Sequence, residues 1–378
     1  MISLFICGDI VNCENMSGSI CSGTLAELVS AANYGICNFE GPLTGFGKPQ
    51  PKIGPNLSQR PETISGLKSQ GFNLLLLANN HIMDFGVEAL VATIEAAQET
   101  GMDTLGAGLT ADVAYTPLIK VIGGYRLGMI NASEAQFGVI DYFKRRNEAG
   151  YAWINHHLVD RTIIALKKEC DFVIVFSHAG LEHYSIPQKE WRARYRHFCE
   201  LGADVVVGSH PHVPQGYEVY KKSLIFYSLG NFYFDYGNYK NNEDCSYALW
   251  LELRKDQPVT FNPIFHYKDK GCVHLSPYDK HVDLKNLCSM LDKNYSELHD
   301  EMSLEAYDFV RQYLLLSLTP FAFDGGIIRS LRRIVARFRG RNWDFNKELM
   351  LLHLLKNEAY YFAARHALEI MARETIQK

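Results

Sequence analysis

Residues 205–212 read Val-Val-Val-Gly-Ser-His-Pro-His, an apolar run that breaks at Gly208 and delivers His210 and His212 one residue apart. Neutral imidazoles rising from one loop at the carboxyl end of a strand can turn toward a common metal centre. In a chain with 14 histidines a single His-x-His proves little, so the other apolar runs decide its meaning. They end in Gly8-Asp9, Asn38-Phe39-Glu40-Gly41-Pro42, Ala78-Asn79-Asn80-His81, Ala132-Ser133-Glu134 and Ser177-His178-Ala179-Gly180. Each has an ordinary reading alone, with Asp9 and Asn38 as turn formers, Asn79 or Asn80 as helix caps and His178 as a buried ring. Together they present carboxylate, amide and imidazole groups on what is expected to be one rim of one sheet, where open α/β sheets gather ligands. Two acids, one amide and three histidines suit Mn, Fe or Zn and are about the right set for one or two divalent ions. Paired ions sit roughly 3.5–4 Å apart, lower the pKa of the water between them and clamp the oxygens of an in-line phosphoryl displacement. His81 is then free to protonate a leaving group or hold a phosphate oxygen.

The elements that must position these residues alternate. Strands are expected near 2–7, 35–39, 73–78, 102–106 and 125–131, with helices near 24–33, 61–70 and 86–99. Helix 157–168, strand 172–176, helix 188–201 and strand 204–208 continue the pattern, which argues for an α/β fold with crossover connections. From 217 to 275 it changes to short strands at 217–220, 223–228, 246–253 and 259–267, separated by turn signals typical of antiparallel pairing. A parallel-looking half followed by an antiparallel-looking half suggests two sheets packed face to face with helices outside. The segment Gly41 to Pro61 holds five prolines, and a loop that long in a compact domain is functional or mobile. After about 280 the pattern is helical, over 307–318, 327–338 and 344–375.

Length and composition fit this reading. The 378 residues, 47% of them hydrophobic, can bury a full core in two or three units. The formal charge of −4 gives no global argument for nucleic acid. Nine cysteines without a Cys-x-x-Cys pair read as small buried thiols of a reducing compartment rather than metal ligands. The short apolar start runs straight into Gly8-Asp9 and reads as a strand, not a signal peptide, and no apolar stretch approaches the roughly 18 residues of a membrane helix. The expected location is the cytoplasm.

The order Gly8-Asp9, Asn38-Phe39-Glu40-Gly41-Pro42, Ala78-Asn79-Asn80-His81-Ile82-Met83-Asp84-Phe85-Gly86, His178-Ala179-Gly180-Leu181-Glu182, Gly208-Ser209-His210-Pro211-His212 and Tyr227-Ser228-Leu229-Gly230-Asn231-Phe232 resembles the CapA family. That family is the poly-γ-glutamate capsule biosynthesis group within the calcineurin-like metallophosphoesterase superfamily. The resemblance covers roughly residues 2–270. It implies a four-layer α-β-β-α sandwich, expected over residues 1–278, while the helical pattern that follows makes 279–378 a separate C-terminal helical appendage. It also implies Asp9 and His212 as ligands of one ion, Asn80, His178 and His210 as ligands of the other, Glu40 as the bridge and His81 as the acid or phosphate contact. The superfamily commonly carries Asp-x-His at the first strand, whereas this chain has Asp9-Ile10-Val11. Glu40 is one methylene longer than the superfamily's usual bridging Asp, as is usual among CapA-like sequences.

Further substrate contacts are expected at Arg60, which can pair bidentately with phosphate or carboxylate, and at Glu182, Asn79 and Asn231. His156, His157 and His183 match no motif and read as surface residues. Six arginines lie between Arg329 and Arg341, and the apolar residues among them follow a helical stripe. That pattern makes 327–339 a candidate contact with an anionic membrane, peripheral at its inner face. The resulting expectation is a divalent-metal-dependent phosphoesterase-like hydrolase acting on a phosphorylated or anionic intermediate in capsule, poly-γ-glutamate or surface-polysaccharide metabolism. The alternative is a metal-binding accessory or scaffold subunit of a polymer-synthesis complex that does not turn over. A third option is amide chemistry on a glutamyl polymer at the same ions.

Overall fold

A computed structural model describes residues 1–144, 147–237, 244–276, 282–318 and 343–376. The chain divides into two compact units, Met1–Gln50 with Asn56–Asn294, and Pro51–Pro55 with Tyr295–Lys378. Residues 327–339, the candidate membrane contact, lie outside the described residues. Among the described residues no helix is long and apolar enough to cross a membrane.

The first unit begins β1 (Ile2–Val11), α1 (Gly23–Ala31), β2 (Tyr34–Phe39), α2 (Glu62–Ser69), β3 (Phe72–Leu76), α3 (Val87–Glu99), β4 (Asp103–Leu105), β5 (Ala107–Gly108) and α4 (Ala111–Ala114). It continues β6 (Leu118–Ile122), β7 (Tyr125–Ser133), β8 (Val139–Ile140), β9 (Gly150–Ala152), α5 (His157–Glu169), β10 (Phe172–His178), α6 (Lys189–Leu201) and β11 (Val205–Ser209). It closes β12 (Tyr217–Tyr220), β13 (Ser223–Phe226), β14 (Asn231–Phe234), β15 (Asp244–Leu253), β16 (Thr260–Asp269), β17 (Cys272–Leu275) and α7 (Leu284–Asp292). One sheet runs β17-β16-β15-β1-β2-β3-β4, with β14 also on β1, and a second runs β12-β13-β11-β10-β7-β6.

Side-chain alternation makes these sheets a sandwich. On β1, Ile2, Leu4 and Ile6 join Leu127, Met129, Ile174, Phe176, Val205 and Val207 of the second sheet in one apolar core. The opposite face of the first sheet, with Phe5, Cys7, Cys37 and Leu75, packs on Leu25, Val29, Ile64, Leu67 and Leu90 of α1, α2 and α3. Helices α5 and α6 lie on the second sheet. The expected α-β-β-α layering is present. Its strands are distributed differently from the expected parallel and antiparallel halves, because both sheets are mixed. β15, β16 and β17 extend the N-terminal parallel sheet through antiparallel pairing with β1. β12 and β13 instead join the second sheet, which is parallel at its centre. Hydrophobic alternation gives a strand's two faces but not its neighbours, so pairing is not readable from pattern.

A bulge in β1 carries functional weight. Cys7 pairs with Cys37, but the next partners are Asp9 and Asn38, leaving Gly8 as the extra residue. Phe5 and Cys7 face the helices, and so does Ile10, so the bulge reverses the parity of the strand. Asp9 therefore points between the sheets, where unbroken alternation would have placed Ile10. Only glycine fits there, since a Cβ on Gly8 would stand 1.8 Å from the Gly230 carbonyl oxygen. Gly208 is similar, with its Cβ position 2.0 Å from the carbonyl oxygen of Tyr227.

The first unit also buries a histidine that makes no hydrogen bond. His266 on β16 is 1% exposed beside Phe232, and neither ring nitrogen has a hydrogen-bond partner. Burial pushes its pKa from 6.5 down to about 3. The folded state holds a neutral ring while the unfolded chain takes a proton below its ordinary value, so stability falls as pH drops from about 6.5 toward 3. The slope contributed is at most about 1.4 kcal/mol per pH unit. His266→Leu is expected to flatten the stability profile between pH 7 and pH 5, read as urea midpoints. An unchanged slope would show that His266 is not the titrating group.

The second unit contains α8 (Tyr295–Leu318), α9 (Trp343–Lys356) and α10 (Glu358–Ile376), with α8 packed on both others. Met302, Ala306 and Val310 of α8, and Ala359, Ala363 and Ala367 of α10, are buried at four-residue spacing. That spacing is one face of each helix.

Candidate metal centre

The apolar core between the sheets ends in a polar cluster at their carboxyl ends. On β2 the alternation that places Ile36 in this core continues to Asn38 and Glu40, and on β10 Phe172, Ile174 and Phe176 lead to His178. The site thus lies not on one rim of one sheet, as expected, but where two sheets face each other. The first sheet brings Asp9 and Glu40, together with Asn80 and His81 after β3; the second brings His178, His210 and His212.

The cluster is deeply buried, with Asp9, Glu40 and His178 fully covered and the most open member, His81, only 8% exposed. His178 Nε2 lies 3.0 Å from Asn80 Oδ1, 3.1 Å from His210 Nδ1 and 3.7 Å from Glu40 Oε1. His212 Nδ1 is 3.5 Å from Asp9 Oδ2. Metal bonds of about 2.0–2.2 Å at tetrahedral angles put ligand atoms roughly 3.3–3.6 Å apart, so these spacings suit ions with little rearrangement. Donor atoms of Glu40, His178 and His210 lie within 4.8 Å of one another, as do those of Asp9, Glu40 and His212 and those of Glu182, His210 and His212. Glu40 is common to the first two groups, and neither of its buried carboxylate oxygens accepts a hydrogen bond. A buried carboxylate with both oxygens bare is costly unless a cation faces it, and this is the observation that fits a metal to the residues present.

The electrostatics agree. Burial pushes the Glu40 carboxyl well above its usual range, against the pull of His212 and with Asp9 adding to the rise. Burial holds His178 well below the ordinary imidazole value, with His210, His212 and His81 adding to the effect. His210 falls to about 4, chiefly through burial and against the attraction of Glu182. Both rings are therefore neutral, the form that ligates metal. His212 differs: burial lowers it, but Glu40 and Asp9 prevail and raise it to about 10, so without a cation it acts as their counter-charge.

The backbone at the two histidines is strained. His210 has φ 99° and His212 φ 60°, left-handed conformations that cost non-glycine residues of order 1–3 kcal/mol. The His210 N–H donates to Asp9 Oδ2 at 3.2 Å, so the strained turn is tied to the bulge on β1. His212 Nδ1 also meets Asn231 Oδ1 at 3.0 Å.

His81 stands at the edge. Its Nδ1 is 2.5 Å from Asp84 Oδ2 and its Nε2 is 3.8 Å from Glu40 Oε1. The carboxylate orients the ring and places Nε2 toward the cluster. Asp84 Oδ2 also accepts from the Leu57 N–H at 2.7 Å, and Gln59 Nε2 donates to the carbonyls of Ile10 and Glu40. The proline-rich segment is thus fastened to the site near Leu57 and Gln59, where it braces both His81 and Glu40.

The remaining expected residues have partners of their own. Asn79 donates to the Phe39 carbonyl and accepts from the Gly41 and His81 amides, so it shapes the two turns. Arg60 pairs with Glu62 at 3.3 Å. Glu182 Oε1 is 4.0 Å from His210 Nε2 with its side chain 38% exposed, at the mouth of the cluster. His183, read as a surface residue, is exposed but its ring centroid is 6.1 Å from that of His212. Sequence reasoning gave Glu134 no role and missed Gln136. Glu134 accepts from Gln136 and from the Gly180 amide, while Gln136 Nε2 lies 3.2 Å from His210 Nε2 and Gln136 Oε1 accepts from Asn80. Glu134 did stand at a strand end; Gln136 carried no signal.

The stretch of chain that builds this cluster is shared with known proteins. The chain is 31% identical over 286 residues to the capsule biosynthesis protein CapA of Bacillus anthracis, covering 72% of this chain and 65% of that one. It is 33% identical over 260 residues to the PGA biosynthesis protein CapA of Bacillus subtilis (strain 168), covering 66% and 62%. The match thus spans less than two thirds of either relative's length. Among solved structures, a 5'-nucleotidase precursor from Thermus thermophilus aligns with a TM-score of 0.41 at 12% identity, over 70% of this chain and 54% of that chain. Residues 3–236, which hold every member of the cluster, match the model of the bacterial capsule synthesis protein PGA_cap, and the chain belongs to that family.

Proposed function

We propose that the chain is a divalent-metal-dependent hydrolase of the phosphoesterase type, acting on a phosphorylated or anionic intermediate of capsule, poly-γ-glutamate or surface-polysaccharide metabolism. The observation that carries this reading is the pair of donor groups sharing Glu40, whose two oxygens are buried and bare beside the oriented His81. Asp9, Glu40 and His212 would hold one ion, and Glu40, Asn80, His178 and His210 a second, with Mn, Fe or Zn fitting the donor types. Bound there, such ions acidify a water and polarise phosphoryl oxygens. His81, oriented by Asp84, moves a proton at Nε2 to the leaving oxygen or holds a phosphate oxygen. Glu182, half-open at the mouth, meets the part of the substrate that remains outside. The packed walls keep bulk water from the reacting atoms.

One observation favours the accessory reading. Val11, where the superfamily commonly has an imidazole, is fully buried against Leu57 and Phe234, so the Asp9 side carries one fewer ligand. Metal content and turnover decide between the two. Purified protein is expected to carry a transition metal and to hydrolyse a phosphomonoester or phosphodiester in preference to a γ-glutamyl amide, with activity lost to chelator and restored by Mn, Fe or Zn. Bound metal with no turnover of any of these substrates would favour the accessory role. Absence of metal, with His210→Ala changing neither metal content nor activity, would remove the metal centre altogether.

A further inference from the structure

We infer that the helical unit has a cation site of its own, built from His299 and Asp300 of α8 and His366 of α10, which takes a zinc-like divalent ion and pins the two helices together. The three donor atoms lie within 4.8 Å of one another. His366 Nε2 is 2.6 Å from Asp300 Oδ1, and the His299 and His366 rings stand 4.7 Å apart at 79°. An ion pair across two helices needs only one imidazole and one carboxylate. Here a second imidazole is brought to the same point.

The placement follows from the helix pattern. His299 lies three residues before Met302 on the buried face of α8, and His366 adjoins Ala367 on the packed face of α10. His299 is 1% exposed, while the Asp300 and His366 side chains are 42% and 19% exposed. The site is therefore walled on one side and open on the other, giving an ion a path in. Two imidazoles and a carboxylate are the donor mix of zinc centres that keep a fourth position for water. Closing the donors to tetrahedral spacing asks the Asp300–His366 contact to open by under about 1 Å and His299 to move in, which rotamer adjustment supplies. None of these residues belongs to the first unit, so the site stands or falls independently of the proposed hydrolase centre.

The test is titration of the metal-free full chain with Zn²⁺ alone by calorimetry, in a His178→Ala/His210→Ala/His212→Ala background that takes every imidazole donor from both donor groups of the first centre. One equivalent is expected to remain. Adding His366→Ala should abolish it, and Asp300→Asn should weaken it about 10–100-fold. Far-UV circular dichroism checks that the helices persist, and Asp300→Asn, nearly isosteric, carries the test if His366→Ala unfolds. In the unsubstituted chain Zn²⁺ should raise the melting temperature of the helical unit and Asp300→Asn should reduce that rise. Retention of the same equivalent in both the His366→Ala and Asp300→Asn forms, or no zinc bound in the background, overturns the site.

Discussion

Glu40→Gln is expected to lower metal affinity by roughly 100-fold or more while making the metal-free protein more stable. Even residues that only orient a ligand cost about 10–100-fold in affinity when replaced, and Glu40 belongs to both donor groups. The gain in stability comes from the same carboxylate. In the metal-free state its two oxygens are buried without hydrogen bonds, and burial outweighs His212 in setting its pKa. A raised folded pKa means that stability is lost as pH rises from the ordinary carboxyl value through the folded one, so at neutral pH Glu40 burdens the fold. A neutral amide of the same shape removes that burden, a gain of about 1–3 kcal/mol on the scale of an unsatisfied buried group. His212 loses an attractive partner, which reduces the gain but leaves Asp9 beside it. Metal content by mass spectrometry and thermal melts in chelator read the two effects separately. Unchanged metal content would show that Glu40 is no ligand, and a lower melting temperature in chelator would show that its negative charge is part of the fold.

His81→Ala is expected to lower kcat by about 10²- to 10⁴-fold, the range of a positioned acid or base, with metal content unchanged. The ring is fixed through Nδ1 and faces the cluster through Nε2, 3.8 Å from Glu40, and among the described residues it belongs to none of the donor groups that could hold an ion. Asp84 acts through His81 and is a positioning residue. Asp84→Asn should give a smaller loss together with an alkaline limb of the pH–rate profile displaced to lower pH, because the amide no longer supplies the negative charge that favours the protonated ring. Since Asp84 also accepts from Leu57, the melting temperature of Asp84→Asn should be followed beside its rate. Metal loss in His81→Ala would move His81 from acid to ligand. A pH profile identical to that of the unsubstituted protein in Asp84→Asn would reduce Asp84 to a brace for the loop.

Much of this centre was legible because strand ends and ligand types coincide. Apolar runs such as Val205–Val207 and Phe172–Phe176 are buried strands, and whatever polar residue follows them must sit at the sheet's carboxyl end. The layers followed from the alternation of helices and strands. Partners such as Gln136 and the tether from Leu57 to Asp84 were not legible, since a glutamine or a backbone amide gains its role from what faces it. The helical unit shows the same limit, for His299 and Asp300 stand 66 and more residues from His366 and share no motif with it.

By itself the sequence determined which side chains could do chemistry and that each would stand at the end of a strand, because local pattern dictates where an apolar run stops. Only the tertiary structure decided that those ends belong to two facing sheets and that β15, β16 and β17 extend the first. It also decided which way Asp9 points. Gly8 is visible as a break in the run, but whether it forms a turn or a bulge depends on β2 and β14 packing against it. The bulge reverses the parity of β1 and turns Asp9 from the helix side to the histidines. A metal centre needs its ligands within a few ångströms, and distances of that kind are set by register between strands remote in sequence, a quantity that no single strand encodes.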